Sequence, residues 1–175
     1  ESPEGLVLMD QHAAHERVLF ERLKANAKFE RQASLFEESI ELEPEAIESL
    51  TQENFKKAFE NIGFEFEARG PTVIGVQARP SFLIDISLKP LMERMAEQII
   101  NQGDQTALQD VITDLWATMA CHGAIRAGRV LSREEMQALL NQMDEFSFSQ
   151  FCPHGRPVSQ QLTIYELEKM FKRII

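Results

Sequence analysis

The sequence predicts a mixed α+β fold in which the helices are segregated from the strands. Three observations support this class. Short apolar or alternating stretches, which are typical of strands, lie in the first half of the chain. Apolar residues at helical spacing dominate the second half. Two Ser/Thr-x-x-Glu sequences, which are typical of helix N-termini, follow in the last third.

The first 63 residues are predicted to form strands and helices in turn. Residues 6–9 are four apolar residues in a row and favour a short strand. A helix is expected over residues 13–28, and residues 33–42 are expected to be extended. After Pro44, apolar residues recur at helical spacing until Gly63, so one helix is predicted there.

A predicted hairpin follows that helix. Residues 64–68 alternate phenylalanine with glutamate, which is the pattern of a half-buried strand. A turn at residues 69–72 leads into a second strand at residues 73–78. Apolar residues at helical spacing after Pro90, and again from Leu108, predict two further helices.

Two capping boxes predict the last two helices. In "SREE" (residues 132–135) and "TIYE" (residues 163–166), the hydroxyl can accept from a free helix N–H, and the glutamate can accept from the N–H of the cap residue. The loop "CPHGRP" (residues 152–157) lies between them. Its two prolines stiffen it and its glycine lets it bend.

Composition bounds the possible functions. The 175 residues suit one domain or two small lobes, and no apolar run approaches the ~20 residues of a membrane helix. No signal peptide is visible, and two cysteines fit a reducing, cytosolic setting better than a disulfide. The net charge of -10 repels phosphate backbones. We therefore expect weak duplex binding by this chain alone, with recruitment through a partner, a metal or a local basic patch.

Residues that bind transition metals are concentrated near the two ends of the chain. His12 and Glu16 are four apart and share a helix face, while Asp10 lies just before that helix. Cys152 and His154 form Cys-x-His in a stiff loop. The thiolate favours zinc, and neighbouring carboxylates could hold a second, harder ion such as manganese. The alternatives are an exposed helical pair at His12 and Glu16, and an inert buried thiol at Cys152.

Other residues near these motifs are weaker candidates for the same metal site. Cys121 is a further soft ligand candidate, although it also fits simple packing at the end of an apolar helix. His15 and His122 are interpreted as structural residues. Glu21 lies roughly 140° round the helix from Glu16, which indicates a supporting or salt-bridge role.

Several motifs together resemble one protein family. "DQHAAHERVLFE" (residues 10–21) fits the D-Q-H-A-x-x-E-x-x-x-x-E pattern of the C-terminal domain of MutL-family mismatch-repair proteins with endonuclease activity. "ACHGAIRAG" (residues 120–128) resembles the family's A-C-x-x-A segment, and "CPHGRP" matches a third family motif. "YELEKMFKRI" (residues 165–174) looks like the family's C-terminal end.

The resemblance implies a metal-dependent endonuclease that nicks one strand of duplex DNA. It implies zinc as a tightly bound ion, manganese as the ion that supports strong activity, and ATP acting only through an N-terminal domain outside this sequence. Asp10 and Glu16 are the implied catalytic residues, with Asp10 essential and Glu16 bridging ions. The implied metal ligands are His12, Glu16, Cys152 and His154, with Asp10 and Cys121 nearby.

The resemblance also implies an organisation and partners. Residues 1–31 and 115–175 would form a dimerisation lobe with the metal site, and residues 32–114 an inserted regulatory lobe. The family pattern has at least one more strand before Gly5. The implied partners are a second copy of the chain, duplex DNA, the replicative sliding clamp and other mismatch-repair proteins, in the bacterial cytoplasm at the nucleoid.

Another short motif indicates binding to the sliding clamp. "QASLF" fits the short clamp-binding peptide Gln-x-Ser/Asp-Leu-Phe, in which Leu35 and Phe36 would fill an apolar pocket and Gln32 would make hydrogen bonds. The alternative is that Leu35 and Phe36 are core residues of a strand.

Two other functions remain open from the sequence. The chain could be a zinc-stabilised dimerisation and clamp-docking module without cleavage activity. It could also be an iron oxygenase with His12, Glu16 and His154 as ligands, although the adjacent Cys152 argues against iron.

Overall fold

The computed structural model describes residues 4–25, 28–102, 108–126, 128–146 and 150–174. Within these ranges it has mixed helices and strands, so the predicted α+β class is confirmed. The strands are β1 (Gly5–Met9), β2 (Arg31–Glu41), β3 (Glu65–Ala68), β4 (Val73–Pro80) and β5 (Ser159–Thr163). The helices are α1 (Gln11–Lys24), α2 (Pro44–Thr51), α3 (Glu53–Asn61), α4 (Leu88–Gln102), α5 (Leu108–Gly123), α6 (Arg133–Asp144) and α7 (Ile164–Met170).

The structure differs from the sequence predictions in several elements. The single helix predicted after Pro44 is two helices, because Gln52 has the extended backbone angles φ -55° and ψ 135°. The last helix ends at Met170, and Lys172 has a positive φ of 55°. Strand β5 was not predicted, since "SQQLT" is a polar sequence without the alternation of a typical strand.

The chain divides into two compact units, Glu1–Val18 with Ala124–Ile175, and Leu19–Gly123. These units end within α1 and after α5, whereas the predicted lobe boundaries at residues 31/32 and 114/115 stay a prediction. The end of α1 and most of α5 contribute side chains to the core of the second unit. These include Leu19, Phe20, Leu23, Leu115, Trp116 and Met119.

The second unit is built on an antiparallel sheet in the order β2-β4-β3. Phe59 of α3 is fully buried, and its ring packs against the rings of Phe64, Phe66 and Trp116. Helices α2, α4 and α5 contribute the rest of this core. The register of the sheet shifts in β2 between Ala33 and Glu38, and in β3 between Glu65 and Phe66.

The first unit is built on the antiparallel pair β1 and β5, in register from Gly5 opposite Thr163 to Met9 opposite Ser159. Gly5 has a φ of +147°, and a Cβ there would lie 2.1 Å from the carbonyl oxygen of Leu162, so only glycine fits. Both predicted capping boxes, at Ser132 and Thr163, are present. The small core joins α1, α6 and the loop before β5: Ala13, Ala14, Val18, Leu131, Leu139, Cys152 and Val158.

Within the described ranges, none of the helices combines the length and the apolar character needed to cross a membrane.

Candidate metal centre

Strand pairing within the first unit brings the two motif-bearing segments together. Strand β1 runs directly into α1, which carries the first motif, and β5 begins just after the "CPHGRP" loop. Because β1 and β5 are antiparallel, the end of β1 lies beside the start of β5. The Asp10 N–H also donates to the carbonyl of Val158, at 3.0 Å. The start of α1 and the end of the loop are thus joined by backbone hydrogen bonds.

The "CPHGRP" loop is a tight turn closed on itself. The Cys152 N–H donates to the carbonyl of Arg156 at 2.8 Å, and the Gly155 N–H donates to the carbonyl of Cys152 at 2.9 Å. Gly155 has a φ of +81°, a conformation that favours glycine. The turn holds Cys152 in the core of this unit, at 3% exposure, and leaves His154 at its surface.

Glu16, Cys152 and His154 form the centre of the site. Their potential ligand atoms, one carboxylate oxygen, one sulfur and one imidazole nitrogen, lie within 4.8 Å of one another. The Glu16 side chain is completely buried. His154 Nδ1 contacts Glu16 Oε1, and Arg156 Nη2 donates to Glu16 Oε2 at 2.6 Å. The buried carboxylate is therefore surrounded by nitrogen donors, as a buried acid requires.

His12 is oriented towards the same carboxylate. Its Nδ1 lies 2.8 Å from the carbonyl of Ile125, and because a carbonyl only accepts, Nδ1 must carry the proton. The other ring nitrogen, Nε2, lies 3.7 Å from Glu16 Oε2 and 3.2 Å from Arg156 Nη2. A backbone hydrogen bond at one ring nitrogen, with the other nitrogen turned towards the site, is the usual arrangement of a metal-binding histidine.

Asp10 lies at the mouth of this cluster and caps α1. Its Oδ1 accepts hydrogen bonds from the N–H groups of His12, at 2.8 Å, and Ala13, at 3.1 Å. Asp10, His12 and Arg156 also line one open cleft, together with Met9, Gln11 and Gly128. Asp10 and Arg156 therefore line a shared space that a substrate could enter.

The donor set fits a divalent cation. A carboxylate, a thiolate and imidazole nitrogens are the ligands of protein zinc sites. The Arg156 guanidinium lies against Glu16 and balances the charge of this buried carboxylate. The site residues could therefore hold zinc through Glu16, Cys152 and His154, with His12 beside them.

Comparison with known proteins supports the family suggested by the motifs. The family model described as "MutL C terminal dimerisation domain" matches residues 1–131, which is most of the chain. The chain belongs to the MutL C-terminal dimerisation domain family. The resemblance inferred from the motifs is thus confirmed. The matched residues include the first motif and the segment around Cys121, whereas the "CPHGRP" loop lies beyond them.

Similar proteins named "DNA mismatch repair protein MutL" cover nearly the whole chain. The protein from a Bradyrhizobium species is 40% identical over 97% of this chain and 28% of its own length. The protein from Citrifermentans bemidjiense is 42% identical over 97% of this chain and 26% of its own length. The protein from a Wolbachia of Brugia malayi is 35% identical over 96% of this chain and 27% of its own length. The chain thus spans little more than a quarter of these MutL proteins.

The sequence pointed to three further cysteine and histidine residues of this MutL-family chain. Cys121 belongs to the second unit, and its role as a ligand stays a prediction. His15 makes a structural contact, because its Nδ1 accepts from the Ile125 N–H at 3.0 Å. Burial, with a smaller effect of Arg94, lowers the pKa of His122 below its usual value.

The predicted clamp-binding segment lies in β2 of the MutL-family chain, at the register shift. The side chains of Leu35 and Phe36 are 91% and 82% exposed. The alternative that they are core residues of a strand is therefore wrong. Gln32 is exposed and pairs with Arg79 of β4.

Sequence analysis missed two contributors to the cluster. Arg156 was visible only as a letter of "CPHGRP", and nothing in the sequence indicated that its guanidinium would contact Glu16 and His12. The Ile125 backbone, which binds both His12 and His15, gives no sequence signal because any residue has the same N–H and carbonyl.

Proposed function

We propose that this chain is the metal-dependent endonuclease domain of a DNA mismatch-repair protein and nicks one strand of duplex DNA. One observation carries the proposal. Asp10 lines the same cleft as His12, and His12 Nε2 lies 3.7 Å from the Glu16 carboxylate of the zinc-type cluster. A domain that served dimerisation alone would need no such constellation.

Different residues would supply the metal ligands, the proton acceptor and the contact to phosphate. Zinc or manganese held by Glu16, Cys152 and His154 would supply a Lewis acid for phosphodiester hydrolysis. Asp10 can accept the proton of the attacking water at its carboxylate, while Oδ1 stays fixed by the helix N-terminus. Arg156 can pair with a phosphate oxygen of DNA through its guanidinium.

The proposal is tested by nicking of supercoiled plasmid in the presence of manganese. Low ionic strength is needed, because the net charge of -10 disfavours approach to DNA. We expect relaxed circles that require both manganese and an intact Asp10. Failure to nick at any protein concentration, with zinc bound, would favour the second candidate.

The second candidate is a zinc-stabilised dimerisation and clamp-docking module without cleavage activity. The capping role of Asp10 favours it, because that role explains an aspartate at this position without any chemistry. Binding of zinc together with complete absence of nicking would identify this function.

We further propose that the first unit forms a homodimer. Strand β1 and the segment around α7 expose more apolar surface than a lone two-stranded sheet can carry in water. The exposed side chains are Val7, Leu8, Met9, Ile164, Tyr165, Met170 and Phe171. A two-fold interface between copies would cover the same patch on both partners.

Leu8→Glu is expected to convert the dimer to a monomer, because it places a charge in the middle of that apolar patch. Light scattering at micromolar concentration measures the change. Val130→Glu is the matched control, since Val130 is as apolar and more exposed but lies outside β1 and α7. Equal masses for Leu8→Glu and the unaltered chain, both dimeric, would place the interface elsewhere.

The proposed recruiting partner is the replicative sliding clamp, bound through "QASLF". Duplex DNA would contact this acidic domain only weakly, and other mismatch-repair proteins would complete the assembly at the nucleoid, in the bacterial cytoplasm. The support is the exposure of Leu35 and Phe36, which protrude from an edge strand where an apolar pocket could enclose them.

Replacing both Leu35 and Phe36 with alanine should weaken binding to purified sliding clamp at least about thirtyfold, because apolar anchors dominate small interfaces. The melting temperature should stay unchanged, since neither side chain belongs to the core. Surface plasmon resonance measures the first effect and calorimetry the second. Ile84→Ala, at an exposed apolar position of the same unit, is the control and should bind normally.

A further inference from the structure

The segment that carries Leu35 and Phe36 is a bulge of defined shape. Ala33 pairs with Ala78, and Glu38 pairs with Val76, so residues 34–37 of β2 lie opposite a single residue of β4, Gln77. Extra residues on one strand are left without ladder partners and project from the sheet. Something other than the ladder must therefore hold residues 34–37 in place.

Glu37, at the end of the bulge, makes the contacts that can do so. Its carboxylate accepts from Arg69 Nε at 3.0 and 3.1 Å and from Arg69 Nη2 at 2.5 Å. Gln77 Nε2 donates to the same carboxylate at 2.7 Å. Arg69 is itself fixed, because its N–H donates to the carbonyl of Val73 at the β3–β4 turn and its Nη1 donates to Glu67. The bulge is thus tied to both other strands of the sheet.

Gly75 provides the space for this carboxylate. A Cβ at position 75 would lie 2.3 Å from Glu37 Oε1 and 2.4 Å from Glu37 Cδ. Any other residue would therefore displace the Glu37 side chain. The Glu37 carboxylate thus occupies a small site, called the seat below. The seat is formed by the guanidinium of Arg69, the side-chain amide of Gln77 and the space left by the missing side chain of Gly75.

We propose that Glu37 is a positioning residue for partner docking: held by Arg69 and Gln77 over Gly75, it fixes the bulge so that Leu35 and Phe36 project together into solvent. The inference rests on the proposed docking function of these two residues. A peptide already held in its bound shape loses less conformational freedom on binding, so its affinity is higher. Glu37 would act through Leu35 and Phe36 without touching the partner's apolar pocket.

Glu37→Gln in the 175-residue chain tests the proposal, with purified sliding clamp as the probe. The amide cannot accept the paired, charge-assisted hydrogen bonds of Arg69, so we expect clamp affinity to fall about tenfold. The backbone order parameters of residues 34–37, measured by NMR without clamp, should fall from about 0.85 towards 0.6. Glu67→Gln is the matched control, because it removes the other carboxylate of Arg69 and leaves the bulge contacts intact.

Gly75→Ala tests the seat independently. Its Cβ should push the Glu37 carboxylate away and weaken clamp binding by a factor similar to that of Glu37→Gln. In a Glu37→Ala background there is no carboxylate to displace, so Gly75→Ala should cause no further loss of clamp affinity. This non-additivity distinguishes the seat from a general disturbance of β4.

The outcomes separate this inference from the proposed function. If the double alanine variant at Leu35 and Phe36 binds clamp normally, the docking function fails, while the order parameters still report on the seat. If that double variant loses binding but Glu37→Gln and Gly75→Ala bind as tightly as Glu67→Gln, Glu37 is not a positioning residue. Unchanged order parameters in Glu37→Gln would also overturn the inference.

Discussion

Asp10→Asn is expected to abolish manganese-dependent nicking and leave the fold intact. Loss of a general base typically lowers a rate by about 10²–10⁴-fold, and the amide is too weakly basic to replace the carboxylate. The fold should survive, because the asparagine oxygen can still accept from the His12 and Ala13 N–H groups at the start of α1. Plasmid relaxation measures the rate, and thermal unfolding checks the fold.

Asp10→Ala is the companion variant that separates the two roles of this residue. It removes the carboxylate and the helix cap together, so it should lose nicking and also about 1 kcal/mol of unfolding free energy. Nicking by Asp10→Asn at the rate of the unaltered chain would remove Asp10 from the chemistry and leave it with the capping role alone.

Cys152→Ser is expected to lower zinc affinity at least about a hundredfold. A structural zinc site contributes ~10–16 kcal/mol of binding free energy through its full ligand set. Removing the Cys152 thiolate should therefore remove a large fraction of that free energy. Zinc should raise the melting temperature of the unaltered chain by binding the folded state, and this rise should disappear in the variant. Competition with a fluorescent chelator measures the affinity.

Two other substitutions complete the zinc experiment. Glu21→Gln is the control, because it removes a carboxylate of α1 that is not among the predicted ligands. Cys121→Ser tests the untested ligand candidate, and a loss equal to that of Cys152→Ser would add Cys121 to the site. Tight zinc binding by Cys152→Ser would contradict the proposed ligand set.

The sequence predicted the elements whose signals are local. Both capping boxes are present at Ser132 and Thr163, since hydroxyl and glutamate three residues apart determine the contact themselves. The break at Gln52 was missed, because the apolar spacing continues through it and only two backbone angles change. Local patterns thus gave the element types more reliably than their boundaries.

The candidate site was predictable in its residues but not in its assembly. Residue types and helical spacing pointed to Glu16, Cys152 and His154, and the structure brings their ligand atoms together. The strand that joins the two segments, β5, has a polar sequence whose pairing depends on long-range contacts with β1. Such pairing, like the contact of Arg156 with Glu16, follows from tertiary structure alone.

The pairing of β1 with β5 has a consequence for the order of synthesis. Residues 5–9 leave the ribosome long before their partners 159–163, which follow roughly 10–30 s later at ~5–20 residues per second. Glu16 therefore cannot meet Cys152 and His154 in a nascent chain that ends before these residues. Under the nuclease function proposed above, cutting would require a chain translated at least to Thr163, the last residue of β5, so shorter nascent chains would leave DNA intact.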